Sequence, residues 1–232
     1  MKYVGIDLIR ELSLAFGPSG CEDAVSALIE SQIKEDCDSY TVDTVGNIIA
    51  VIHGRGIYYD KKNPRRILLS AHMDEVGFMI TAITEEGYLK FSPVGGIDPR
   101  VLCGRHVLVG DRHKLHCVIA SKAIHLQTPE ERTKATPLSK MYIDIGAKDA
   151  EDAKKYVSVG DYATFDSDFV TFGKDNTRMR ERPWTTAQAV PCSLRSCATS
   201  TTIPAISPST CASPSPPARR WASRAPTWPP LR

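Results

Sequence analysis

In the run Ser70-Ala71-His72-Met73-Asp74-Glu75-Val76-Gly77, His72 and Asp74 have the residue types and spacing to do chemistry. They follow Ile67-Leu68-Leu69, which reads as a buried strand, and open α/β sheets place ligands and catalytic groups at the carboxyl ends of their strands. Two residues apart on an extended chain, the imidazole and the carboxylate project to the same side. One imidazole nitrogen can bind a metal ion while the carboxylate holds the other, fixing the tautomer and raising the ring's basicity. Taken alone, the pair leaves two readings open, because a histidine at a strand end more often only satisfies a hydrogen bond.

The elements that must position this pair are legible on both sides of it. Helices are expected over 6–16 and 22–35, separated by the turn Gly17-Pro18-Ser19-Gly20. Ser19 followed three residues later by Glu22 has the form of a capping box. Val25, Leu28, Ile29 and Ile33 share one helical face, which should pack on a sheet. Strands are expected over 39–42, 47–52 and 67–69, so the front of the chain reads as α/β with a sheet covered on both faces. From Val76 the texture changes to short alternating runs separated by Gly, Pro and Asp, over 78–83, 88–93, 106–109 and 115–121. With 142–145 and 162–165 as the last strands and a short helix over 151–156, the spacing suggests an inserted small barrel or sandwich.

Composition divides the chain near Glu181. Six of the 29 basic residues and none of the 27 acidic residues lie beyond it, so the front carries 23 bases against 27 acids. The basic balance of the whole chain therefore comes from the tail and is no signal for nucleic acid or an anionic membrane. No stretch approaches the apolar length of a membrane span, and a cytoplasmic location is expected. Cys21, Cys37, Cys103 and Cys117 lie at no zinc-finger or Cys-x-x-Cys spacing and read as reduced thiols. The stretch after Glu181 holds ten of the sixteen prolines and all three tryptophans, Trp184, Trp221 and Trp228, a composition expected to stay disordered.

Ala71-His72-Met73-Asp74-Glu75-Val76-Gly77-Phe78 resembles the first metal motif of the glutamyl, or tetrahedral (deblocking), aminopeptidases, a family of two-metal metallopeptidases. Gly17-Pro18-Ser19-Gly20-Cys21-Glu22, Asp43-Thr44-Val45-Gly46-Asn47, Gly95-Gly96-Ile97-Asp98-Pro99-Arg100-Val101-Leu102, Pro129-Glu130-Glu131-Arg132 and 141–147 are similar to it too. The resemblance covers 1–180 and implies an α/β catalytic domain interrupted by a β-barrel dimerisation domain. It divides the chain into 1–77 (catalytic, N-terminal part), 78–165 (inserted β-rich domain), 166–180 (return to the catalytic domain) and 181–232 (tail). It also implies two divalent ions, zinc or cobalt, removal of N-terminal residues from peptide substrates, and a homo-oligomer. His72 matches a metal ligand, and Asp74 matches the catalytic carboxylate that supports it. The family's Ala-Leu-Asp-Asp-Arg and Glu-Glu-Val-Gly motifs have no counterpart in this chain as written.

Those motifs are compatible with another reading frame of the tail. Trp has one codon, so Trp184-Thr185 forces an Asp codon starting at the last base of the Trp codon. In that frame 181–187 is compatible with Lys-Ala-Leu-Asp-Asp-Arg. Trp221-Ala222 forces Gly, and 218–222 is compatible with Glu-Glu-Val-Gly. The expectation is an incomplete aminopeptidase-type catalytic domain, frameshifted after about residue 180 and inactive as written. The rival reading is a non-catalytic β-domain for self-association or interaction, with a disordered basic tail. Six Arg over some fifty residues are a poor nucleic-acid footprint.

Overall fold

The structure, a computed structural model, describes residues 6–53 and 68–180 and the backbone of 203–206. Two helices open the chain, α1 (Ile6–Leu14) and α2 (Asp23–Ile33). As the periodicity requires, Val25, Ile29 and Ile33 are buried and Leu28 packs beside them. They meet Leu8 and Leu12 of α1 and the inward residues Ile48 and Ala50 of the second of two strands, β1 (Ser39–Val42) and β2 (Ile48–Val51). These strands form an antiparallel hairpin with Tyr40 opposite Ala50 and Val42 opposite Ile48. A two-residue strand, β3 (Leu68–Leu69), then leads into the His-x-Asp segment; Ile67, expected to open that strand, lies outside the described residues. Among the described residues helices cover one face of the sheet. On the other face Ile49 stays 41% exposed, so the expected two-sided cover is not seen there.

Six strands make a second unit: β4 (Gly77–Ile83), β5 (Leu89–Val94), β6 (His106–Val109), β7 (Leu115–Ser121), β8 (Met141–Asp144) and β9 (Tyr162–Phe165). They close into an antiparallel barrel in the order β4-β5-β8-β7-β6-β9, with β9 paired back onto β4. Closure leaves no strand edge unpaired, which a six-strand open sheet could not achieve. Alternate residues point inward, among them Phe78 and Ile80, Leu89 and Phe91, and Cys117 and Ile119. The rings of Phe91 and Phe165 each meet Phe78 edge-on at 5.2 Å. The outcome is a barrel rather than a sandwich, and it has its own core.

Between β7 and β8 lies α3 (Pro129–Arg132), a single turn with a complete capping box. Thr128 accepts from Glu131 N, and the Glu131 carboxylate accepts from Thr128 N. The short helix expected over 151–156 is α4 (Ala150–Ala153), capped by Asp149. After the barrel comes a hairpin the sequence reading did not foresee, β10 (Val170–Phe172) with β11 (Arg178–Arg180).

Two expectations need correction. Ser19 does not cap α2: the N-cap position is Glu22, which makes no side-chain cap bond. The Ser19 hydroxyl is directed at Asp74 instead, and Glu22 Oε1 accepts from Gly20 N at 2.7 Å. Residues 203–206, assigned by composition to a disordered tail, form a strand, β12 (Ile203–Ile206), between β2 and β3, antiparallel to the first and parallel to the second. A β-branched Ile at each end suits a strand, and the slot offers backbone partners on both sides. The rest of that tail lies outside the described residues.

Candidate functional site

The site is built on the seven residues after β3. Ala71 and Met73 are buried in the helix-covered core, anchoring the segment from one side. His72 and Asp74 project together, as the two-residue spacing requires: His72 Nδ1 lies 2.7 Å from Asp74 Oδ1 and 3.1 Å from the Asp74 carbonyl oxygen. Asp74 is 7% exposed, so the carboxylate meets the ring where water screens little. A carboxylate only accepts, so the proton of the pair sits on Nδ1, and in the neutral imidazole that leaves the lone pair on Nε2.

Two segments distant in sequence lock this turn. The Gly17–Gly20 loop runs beside it: Glu75 N donates to Gly17 O at 2.8 Å, Ser19 N donates to Glu75 O at 3.1 Å, and Pro18 bridges Glu75 in parallel. The Ser19 hydroxyl donates to Asp74 Oδ2. From the barrel, Thr164 on β9 is fully buried and its hydroxyl donates to Glu75 Oε1 at 2.6 Å. Two glycines allow this convergence. Gly20 sits at φ +92°, where a side chain is strained, and a Cβ there would lie 2.7 Å from the Tyr162 hydroxyl. At Gly77 a Cβ would lie 2.7 Å from the Ala163 carbonyl oxygen. Arg10 of α1 stacks over the Phe169 ring at 5.2 Å, tying the segment after the barrel back to the front helices.

Both sequence-predicted site residues are thus brought into contact. The reading missed Ser19, Glu75 and Thr164. Their partners lie 55 residues away for Ser19 and 89 apart for the Glu75–Thr164 pair, and no local pattern signals such contacts. Among the described residues no group of three or more His, Cys, Asp or Glu is placed to hold an ion. The donors present therefore fit one ligand position and do not amount to a two-ion site. A cavity of about 600 Å³, lined in part by Arg105, His106, Asp166 and Arg180, shares no residue with the His72 turn. Cys21, Cys37, Cys103 and Cys117 are free thiols, as expected. Burial, with help from nearby Asp144, pushes the Cys117 thiol up to about 12. No helix of the described residues is long and apolar enough to cross a membrane.

The chain is similar in sequence and fold to known proteins. A candidate aminopeptidase of Acetivibrio thermocellus is 40% identical over 167 residues, 72% of this chain and 46% of that protein. The crystal structure of the TET aminopeptidase of a Thaumarchaeota archaeon superposes with a TM-score of 0.66 at 36% identity, over 72% of this chain and 46% of that one. The Pyrococcus horikoshii TET1 peptidase, which can assemble into a tetrahedron or a large octahedral shell, gives a TM-score of 0.72 at 32% identity, over 87% of this chain and 60% of its own. The chain spans about half the length of the curated relatives it matches. The M42 glutamyl aminopeptidase profile matches residues 46–181, a stretch that contains the His72–Asp74 pair and the whole barrel, and on that match the chain belongs to the M42 glutamyl aminopeptidase family.

Proposed function

We propose that this chain carries the front half of a metal-dependent aminopeptidase, a hydrolase that removes N-terminal residues from peptides, and that it is inactive as written. The observation that carries the reading is the 2.7 Å His72–Asp74 pair, at the end of a sheet strand and inside the family match. In this reading His72 is a ligand through Nε2, and Asp74 holds the Nδ1 proton and keeps the ring basic. The intact site would take two divalent ions, zinc or cobalt. The described residues of this chain supply too few donors for that pair of ions.

The family match ends at residue 181, where acidic residues cease. That coincidence supports a reading frame that departs from the family near Arg180, leaving the remaining ligands out of frame. We assign 1–77 and 166–180 to the catalytic domain, a division supported by the Arg10–Phe169 stacking. The barrel, 78–165, is assigned to dimerisation within a cytoplasmic homo-oligomer, by analogy with the assemblies of the TET1 peptidase. Because the barrel is closed and has its own core, a second reading also has an observation in its favour: the chain persists as a non-catalytic self-association module.

The test is to assay the purified 232-residue chain and a frame-restored protein on chromogenic aminoacyl substrates with added zinc or cobalt. The expected result is turnover by the restored protein alone, lost in its His72→Ala variant. Metal-dependent turnover by the chain as written, well above its own His72→Ala control, overturns the inactive assignment. A restored protein that binds no metal overturns the aminopeptidase assignment.

A further inference from the structure

A carboxylate anchored through one oxygen keeps a soft torsion about Cβ–Cγ, so the Nδ1 contact alone does not fix Asp74. Its second oxygen is held as well, by the Ser19 hydroxyl. Ser19 comes from the loop between α1 and α2, and that loop is stitched to the turn by the Ser19–Glu75 and Glu75–Gly17 backbone bonds. It is further confined by Gly20 against Tyr162 and by Pro18 against Gly77. Ser19 lies three residues before Glu22, the N-cap position of α2, and its hydroxyl turns away from that helix to Asp74.

We propose that Ser19 is a positioning residue for the site: its hydroxyl fixes the Asp74 carboxylate so that Oδ1 holds the Nδ1 proton of His72, which leaves Nε2 as the ligating nitrogen. The inference rests on the reading of His72 as a ligand and extends it to a residue contributed by the opening loop. Rotating the carboxylate out of line would weaken the Nδ1 hydrogen bond and let the ring sample the other tautomer, in which Nε2 carries a proton and cannot ligate.

The experiment reads the tautomer directly. Nuclear magnetic resonance of the 232-residue chain with ¹⁵N-labelled histidine reports the two ring nitrogens of His72 and the exchange of its Nδ1 proton. In the wild type a single Nδ1–H tautomer with a protected proton is expected. Ser19→Ala should speed exchange of that proton about tenfold or more, the factor carried by a hydrogen bond to a charged group, and should mix the tautomers. Ser19→Cys has nearly the volume of serine but a weak donor, so it should behave like Ser19→Ala while guarding against a packing defect. Ser19→Thr, which keeps the hydroxyl, should restore the wild-type signature. Unchanged backbone resonances from the barrel report that each variant is folded. If folded Ser19→Ala or Ser19→Cys keeps the wild-type tautomer and exchange rate, the proposal is overturned. The signature requires no metal, so a failure of the ligand reading would appear separately, as absence of zinc binding in the frame-restored protein.

Discussion

Replacing Asp74 with Asn in the frame-restored protein removes one charge and almost nothing else. The amide can still accept from His72 Nδ1–H through its oxygen and can donate to the Ser19 hydroxyl through its nitrogen, so both contacts of the carboxylate have a neutral counterpart of the same shape. What is lost is the charge assistance, which makes such bonds roughly twice as strong as neutral ones. The pair sits where the Asp74 side chain is only 10% exposed, so water cannot compensate. Loss of the partner that supports a ligating histidine ordinarily costs about 10 to 100-fold in metal affinity or activity, or roughly 1.4 to 2.7 kcal/mol. The assay is competition for zinc or cobalt against a chelator of known affinity, with hydrolysis of an aminoacyl substrate measured in parallel. The thermal midpoint should stay close to that of the wild type, because the packing of Ala71 and Met73 is untouched. An affinity within about twofold of the wild type would refute the role given to Asp74, since an effect that small lies below the range for such partners.

Phe78→Ala should destabilise the barrel by about 3 to 5 kcal/mol, because Phe78 is fully buried and meets two rings edge-on. Phe172→Ala, at a side chain 47% exposed, should cost about 0.5 kcal/mol or less, and urea denaturation followed by fluorescence compares the two. Gly20→Ala should cost about 1 to 3 kcal/mol through its positive φ, and a Tyr162→Phe background should not recover that loss if the backbone is its source. The Cys117 thiol is neutral in the fold up to about 12, against an ordinary value of 9.0. Unfolding therefore releases a proton at alkaline pH. The contribution is fully present below pH 9, and stability falls as pH rises from there towards 12. Denaturation midpoints at pH 7 and 10.5 should diverge less in Cys117→Ala than in the wild type.

The parts of the fold that were legible are those written in local periodicity. The face of α2 and the alternation in β5, β7 and β8 each state which side is buried, and burial follows the pattern. The β10–β11 hairpin was not legible, because Val170-Thr171-Phe172 and Arg178-Met179-Arg180 are short and mixed in polarity. Its turn chemistry was available in Gly173-Lys174-Asp175-Asn176, whose Asp175 and Asn176 adopt φ of 59° and 53°. At the site, His72 and Asp74 were readable because they lie two residues apart in one short segment between β3 and β4. Ser19 was misread because its local pattern, Ser-x-x-Glu, describes a cap, while the contact it makes is set by how the opening loop docks on the chain 55 residues later. β12 was hidden by the composition around it, since four residues cannot outweigh a Pro-rich tail in a windowed reading.

The place where the chain enters and leaves the barrel explains how the barrel meets the site. The barrel is entered at Gly77 and left at Phe165, and β4 pairs with β9 so that Phe78 lies opposite Ala163. Its first and last strands are therefore neighbours, and the chain enters and leaves the barrel side by side. The same closure carries Thr164 to Glu75, next to the residue that holds His72. Closing the barrel thus brings Thr164 within hydrogen-bond reach of the turn, and loosening β9 would remove that bond from the Glu75 side chain. On the proposed reading, a frame lost near Arg180 would act differently on the barrel and on the helix-covered sheet. The last barrel strand is complete fifteen residues earlier, at Phe165, so every strand pairing in the barrel survives. The sheet of β1, β2, β3 and β12 keeps its helix-covered face and the His72 turn, while Ile49 on the other face stays open to solvent. On this reading the chain retains the means to orient one histidine but lacks the carboxylates needed to complete a two-ion site around it.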